Sequence, residues 1–143
     1  MIRAVVDTNT IVSAVISPKG PSRRVYEAWL KNRFTLVTSP STIAEVVKVL
    51  DYDKIRLRYR LRDEDIRTAK VLLWTQSDLT EGTVVVRGVA PHEEDDKLVS
   101  CAVEGGAAFI VTGDKAFQAC AEYEGIRIIS PKAVVELLES NPD

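Results

Sequence analysis

Histidine is almost missing from this chain: His92 is the only one in 143 residues, beside two cysteines, one methionine and 6% aromatics. That scarcity excludes a Cys/His metal cage of the zinc type and offers little for a Ser–His or Cys–His nucleophile. Cys101 and Cys120 form no Cys-x-x-Cys pair and fall in helix-like stretches, so the sequence predicts reduced core thiols in an intracellular protein. No basic N-terminal region precedes a long apolar stretch, and no run approaches the ~18 apolar residues of a membrane span. A cytoplasmic protein without a membrane partner is expected. Charge of one sign is lacking too: the net charge is -2, which excludes coating of nucleic acid by bulk electrostatics but leaves room for a local basic groove.

What the chain does have is alternation. Short β-branched runs at 2–6, 34–37, 83–86, 108–111 and 126–129 read as strands buried on both faces. Longer amphipathic stretches at 10–16, 22–32, 40–50, 63–75, 95–104, 115–124 and 131–139 read as helices. Two of them open on Ser-Pro, at 39–40 and 130–131, a serine cap followed by proline in the first turn. No repeat or linker interrupts the pattern, so one domain over 1–143 is expected. Its class is α/β, a three-layer sandwich around a central five-stranded, mostly parallel sheet.

In such a sheet ligands collect beyond the carboxyl ends of the strands. Asp7 closes the first strand and Asp114 the fourth, and "EEDD" at 93–96 opens a helix at the same edge. Each acid alone reads as a helix cap or a first-turn charge. Together they repel: two carboxylates ~5 Å apart at an effective dielectric of ~20 cost about 3 kcal/mol. A bound cation or a proton relieves that cost, and oxygen-only donors favour a hard ion, Mg²⁺ or Mn²⁺. Glu45 in "SPSTIAEVVKVL" lies at the border between the buried stripe (Ile43, Val46, Val47, Leu50) and the wet face, and helical periodicity leaves its role open.

The stretches "VVDTNTIVSAVIS", "SPSTIAEVVKVL", "EEDDKLVSCAVEGGAAFIVTGDKAF" and "ISPKAVVELL", in this order and spacing, resemble the PIN-domain family of nucleases, especially its VapC-like toxin ribonucleases. The resemblance implies a metal-dependent ribonuclease acting on single-stranded RNA, with one or two Mg²⁺ or Mn²⁺ ions. It implies Asp7, Glu45, Asp96 and Asp114 as catalytic and metal-binding acids, with Asn9 and Thr112 as supporting polar groups. Asp96 is preferred to Asp95 because it directly precedes the apolar helix. Frequent dimerisation and, for toxins, a small antitoxin partner belong to the same implication.

The run "KIRLRYRLR" (54–62) holds five basic residues in nine. Arg56, Arg58 and Arg60 read as an RNA-contacting arm on which Tyr59 could stack, or as a solvated helix face. His92 reads as a loop residue, and Trp29 and Trp74 as core or interface.

Two rivals fit less well. "DTNT" resembles the strand-end Asp of haloacid-dehalogenase-type phosphatases, yet Asn9 stands where their second acid belongs. A receiver-like module, or a degenerate PIN fold that only binds a protein partner, is the non-enzymatic alternative; "TVVVRG" and "IRIISPK" match a receiver poorly.

Overall fold

A computed structural model describes residues 1–140. Six strands share one sheet: β1 (Arg3–Val6), β2 (Thr35–Thr38), β3 (Asp78–Leu79), β4 (Phe109–Val111), β5 (Glu122–Tyr123) and β6 (Ile126–Ile129), in the spatial order β3-β2-β1-β4-β6-β5. Every pairing is parallel except that of β5 with β6. Helices α1 (Thr8–Ile16), α2 (Pro21–Leu30), α3 (Pro40–Leu50), α4 (Asp53–Tyr59), α5 (Asp63–Thr75), α6 (Asp96–Glu104), α7 (Lys115–Gln118) and α8 (Pro131–Ser140) complete the described elements, with a 3₁₀ turn at Glu93–Asp95.

The period-2 geometry of the strands divides the core in two. Ala4, Val6, Leu36, Phe109 and Val111 face the layer of α1, α2, α3, α5 and α8. Val5, Val37, Ile110 and Ile128 face α6 through Leu98, Val99, Cys101 and Ala102. Gly105 ends α6 against the sheet, where an added Cβ would lie 2.3 Å from Val37 Cγ1. The predicted caps are present: Ser39 Oγ accepts from Thr42 N and Ser130 Oγ from Ala133 N.

The α/β sandwich stands as expected, with two changes in the sheet. The strand expected at 83–86 is not one. The chain leaves the sheet at Thr80, and the backbone N–H groups of residues 81–84 donate to the Glu104 carboxylate instead of to a neighbouring strand. Val86 N donates to Ser100 Oγ, and Gly88, Val89 and Ala90 donate to Asp96. Asp96, Ser100 and Glu104 are spaced i, i+4, i+8 and so form one row on α6. That row holds residues 81–90 as a strap along the helix.

At the other edge, the helix expected over 115–124 stops at Gln118. A two-residue turn, Glu124 (φ 48°) and Gly125 (φ 83°), folds β5 back onto β6. Positive φ at both central positions matches the twist of a tight hairpin. Two further expectations change: Cys120 is exposed rather than in the core, and a short helix, α4, forms over the basic run.

Candidate active site

From β1 the chain crosses to β2 on one side, and from β4 it goes on to β6 on the other, so the strand order reverses between the carboxyl ends of β1 and β4. A crevice opens at such a switch point. Asp7 leaves β1 directly into it. Its Oδ1 accepts from Thr10 N at 2.8 Å, capping α1, and its Oδ2 accepts from the hydroxyl of buried Thr112 at 2.6 Å. The same Thr112 oxygen accepts from Asp114 N at 3.1 Å, so one hydroxyl ties the ends of β1 and β4 together.

Asp114 caps α7 through Oδ1, which accepts from Ala116 N at 2.9 Å, and its Oδ2 lies 3.3 Å from His92 Nε2. Asp7, Asn9, Thr10, Ser13, Ser22, Gly113 and Asp114 line a cleft of about 420 Å³, with Asn9 exposed at its rim.

Of the two neighbouring acids at the start of α6, Asp95 is the one that feels the negative charges of Asp7 and Asp114. Both oxygens of Asp96 are committed to the strap: Oδ2 to Gly88 N (2.8 Å), Oδ1 to Val89 N (3.0 Å) and Ala90 N (2.8 Å). Burial alone would raise its pKa, but the three N–H bonds outweigh it and hold the carboxyl below the usual carboxylate range. Asp95 behaves oppositely. Desolvation, then the negative charges of Asp7, Glu94 and Asp114, push its carboxyl upward against a smaller opposing effect of His92. The preference for Asp96, drawn from the apolar helix start, therefore falls on a carboxylate already engaged by three backbone donors.

Glu45 reaches the area from α3. Its Oε2 accepts from Thr8 Oγ1 at 3.2 Å and pairs with the Lys97 ammonium. Sequence reasoning passes over Lys97 although it follows the acidic run directly, because a lysine in a first helical turn looks like surface charge.

In donor chemistry the residues fit a hard divalent cation. They are oxygen donors from three separated segments, and the upward push on Asp95 records a repulsion that a cation would relieve. Among the described residues, no group of three acidic, histidine or cysteine side chains is closed to ion-holding distance. The cluster is an open arrangement, with Glu45 engaged by an internal cation.

The basic run does not act as a unit. Arg56, in α4, is bound to Asp51 at the end of α3 and to Asp63 at the start of α5. That makes it a structural residue rather than a free phosphate contact. Arg58 lies over the Tyr59 ring at 5.5 Å, and Arg60 ends α4 in the left-handed conformation; both are exposed. Trp29 is buried, donating to Gln76 O, whereas Trp74 is partly exposed.

No helix among the described residues is long and apolar enough to cross a membrane. An uncharacterized protein of Methanocaldococcus jannaschii is 31% identical over 120 residues, covering 80% of this chain and 72% of the relative. A family model described as PIN domain matches residues 3–116, a span that contains Asp7, Glu45, Asp95 and Asp114. The chain belongs to the PIN-domain family.

Proposed function

We propose that this protein is a metal-dependent endoribonuclease that hydrolyses phosphodiester bonds of single-stranded RNA. PIN domains are typically nucleases, generally of RNA and generally with Mg²⁺ or Mn²⁺, and this supports the class of activity. The observation that carries the reading is the convergence of Asp7 and Asp114 on one cleft at the switch point, their strand ends tied together by the Thr112 hydroxyl.

Asp7, Asp95 and Asp114 hold the ion, with Glu45 as a further ligand, directly or through water. Asp96 serves the site indirectly, by fixing the strap and the first turn that carries Asp95. Thr112 orients Asp7, and Asn9 offers a polar contact at the rim. One or two bound ions supply Lewis acidity toward the phosphate and its leaving oxygen, and make the attacking water more acidic. A carboxylate of this set that is left unbound by the ion would take up that water's proton.

Arg58 and Arg60 supply phosphate contacts on the substrate side, with Tyr59 available for stacking. A toxin role held in check by a small antitoxin, and a homodimeric assembly, extend the same reading. Growth arrest on induction of the wild type, absent with Asp7→Asn, would support the first; sedimentation of the purified protein reports the second. A partner-binding fold without catalysis is not favoured, since the acids at both strand ends are retained.

The direct test is cleavage of unstructured RNA with Mn²⁺, with EDTA, and with Asp7→Asn. Cleavage should require the ion and disappear in the variant while its circular dichroism is unchanged. Cleavage that survives both EDTA and Asp7→Asn would defeat the proposal.

A further inference from the structure

Lys97 has no evident reason to be where it is if helix stability alone governs it. It is the second residue of α6, where the helix dipole disfavours a cation. Its ammonium nevertheless crosses to α3 and pairs with Glu45 Oε2, an atom that also accepts from Thr8. The pair is only partly exposed, with side-chain exposures of 35% and 38%, so water screens it incompletely.

The remaining charged or ionisable groups around the acids are Asp7, Glu94, Asp95, Asp114 and His92. Lys97 is a permanent cation held against Glu45 at the edge of these acids. It also lines a second, larger groove of about 1020 Å³, bounded by the strap and by Ser39 and Ser41 at the start of α3.

We propose that Lys97 is an internal counter-ion that occupies Glu45 in the ion-free protein, competes with the divalent ion for it, and on release presents its ammonium to an RNA phosphate in the adjoining groove. The inference rests on the nuclease reading and deepens it by naming the residue that sets metal affinity. Glu45 exchanges one positive partner for another, so the acid cluster never stands fully uncompensated. Apparent ion affinity is reduced by the fraction of Glu45 held by Lys97. Freed from Glu45, the ammonium lies beside Ser39, Ser41 and the exposed Arg87, a setting of donors for phosphate oxygens.

The test is Mn²⁺ titration of the full chain, followed by the electron paramagnetic resonance signal of free Mn²⁺, for wild type, Lys97→Met, Glu45→Gln and the double variant. Lys97→Met should bind Mn²⁺ about two- to fivefold more tightly, the scale of one partly exposed ion pair. In the Glu45→Gln background the same substitution should change nothing, because the competition acts through Glu45. With Ca²⁺ in place of Mn²⁺, Lys97→Met should bind a single-stranded oligonucleotide more weakly.

Unchanged or weaker Mn²⁺ binding by Lys97→Met overturns the inference, as does a gain that persists in the Glu45→Gln background. Both results leave the nuclease reading intact. A wild type that binds no Mn²⁺ removes the nuclease reading and this inference with it.

Discussion

Thr112 and Asp7 are 105 residues apart in sequence, and the hydroxyl of one donates to Oδ2 of the other at 2.6 Å. Neither belongs to a strand. Each is the first residue past the carboxyl end of one, and the parallel pairing of β1 with β4 brings the two ends level. Thr112 is fully buried and Asp7 nearly so, at 9% exposure, which makes this a bond between a charged acceptor and a desolvated donor. Such bonds are worth more than exposed ones.

Thr112→Val keeps the shape of the side chain and removes both bonds of its oxygen. Urea denaturation should show a loss of about 1.5–3 kcal/mol, since buried Asp7 is left with one fewer donor. RNA cleavage should fall as well, because Asp7 loses its fixed orientation. A variant as stable as the wild type would mean that the bond contributes nothing to the join between β1 and β4.

Asp95→Asn and Asp96→Asn, neighbours in sequence, should separate cleanly. The first should abolish cleavage and leave the protein as stable or slightly more so at neutral pH, because it removes a charge crowded by Asp7 and Asp114. The second should cost about 1–3 kcal/mol, since an amide cannot replace a carboxylate that accepts three N–H groups. Paired denaturation and cleavage measurements decide it; the reverse pattern would return the catalytic role to Asp96.

Acid should release the strap before it unfolds the sheet. The carboxyls of Asp96 and Glu104 both lie below their ordinary range, the first because three N–H bonds outweigh its burial, the second chiefly through Val84 N and the other strap amides. A lowered folded value means that the stabilisation is present above the unfolded value, about 4, and is lost as pH falls through the folded one. Hydrogen exchange at the amides of residues 81–84 and 88–90 should therefore lose protection below about pH 4, while those of β1 and β4 stay protected. Simultaneous loss in both regions would show that the strap is not a separate unit. Asp95 acts in the opposite sense: its raised carboxyl takes stability away as pH climbs through its titration.

Arg58→Ala with Arg60→Ala should weaken RNA binding and flatten its dependence on salt, by roughly 0.7 in the log–log slope for each phosphate no longer neutralised. Arg56→Ala should instead loosen the α4–α5 junction, seen as reduced helicity, because its guanidinium is bound to Asp51 and Asp63. An unchanged salt slope in the double variant would remove the basic arm from the substrate path.

Much of the architecture is readable because it is written in local chemistry. Ser39-Pro40 and Ser130-Pro131 mark helix starts by satisfying first-turn amides, and the buried β-branched runs around Val5, Val37 and Ile110 mark strands. Asp7 and Asp114 are legible as strand-end acids once a parallel sheet is inferred. The failures share one cause, a partner distant in sequence. "TVVV" has the composition of a strand, yet amides of Thr83, Val84 and Val86 go to Glu104 and Ser100, which lie 14 to 21 positions on. Asp95 and Asp96 are chemically identical, and only the path of the strap shows which carboxyl is already spoken for. The β5–β6 hairpin does carry a local signal, the Glu-Gly turn, but it is hidden in a stretch that reads as a continuing helix.

The row of Asp96, Ser100 and Glu104 grips residues 81–90 almost wholly by main-chain atoms. A clasp of that kind is blind to side-chain identity, so the exposed Val85 and Arg87 along this segment can be exchanged without altering its course. The wall of the larger groove is thus free to diversify in what it recognises, while the turn bearing Asp95 keeps its place.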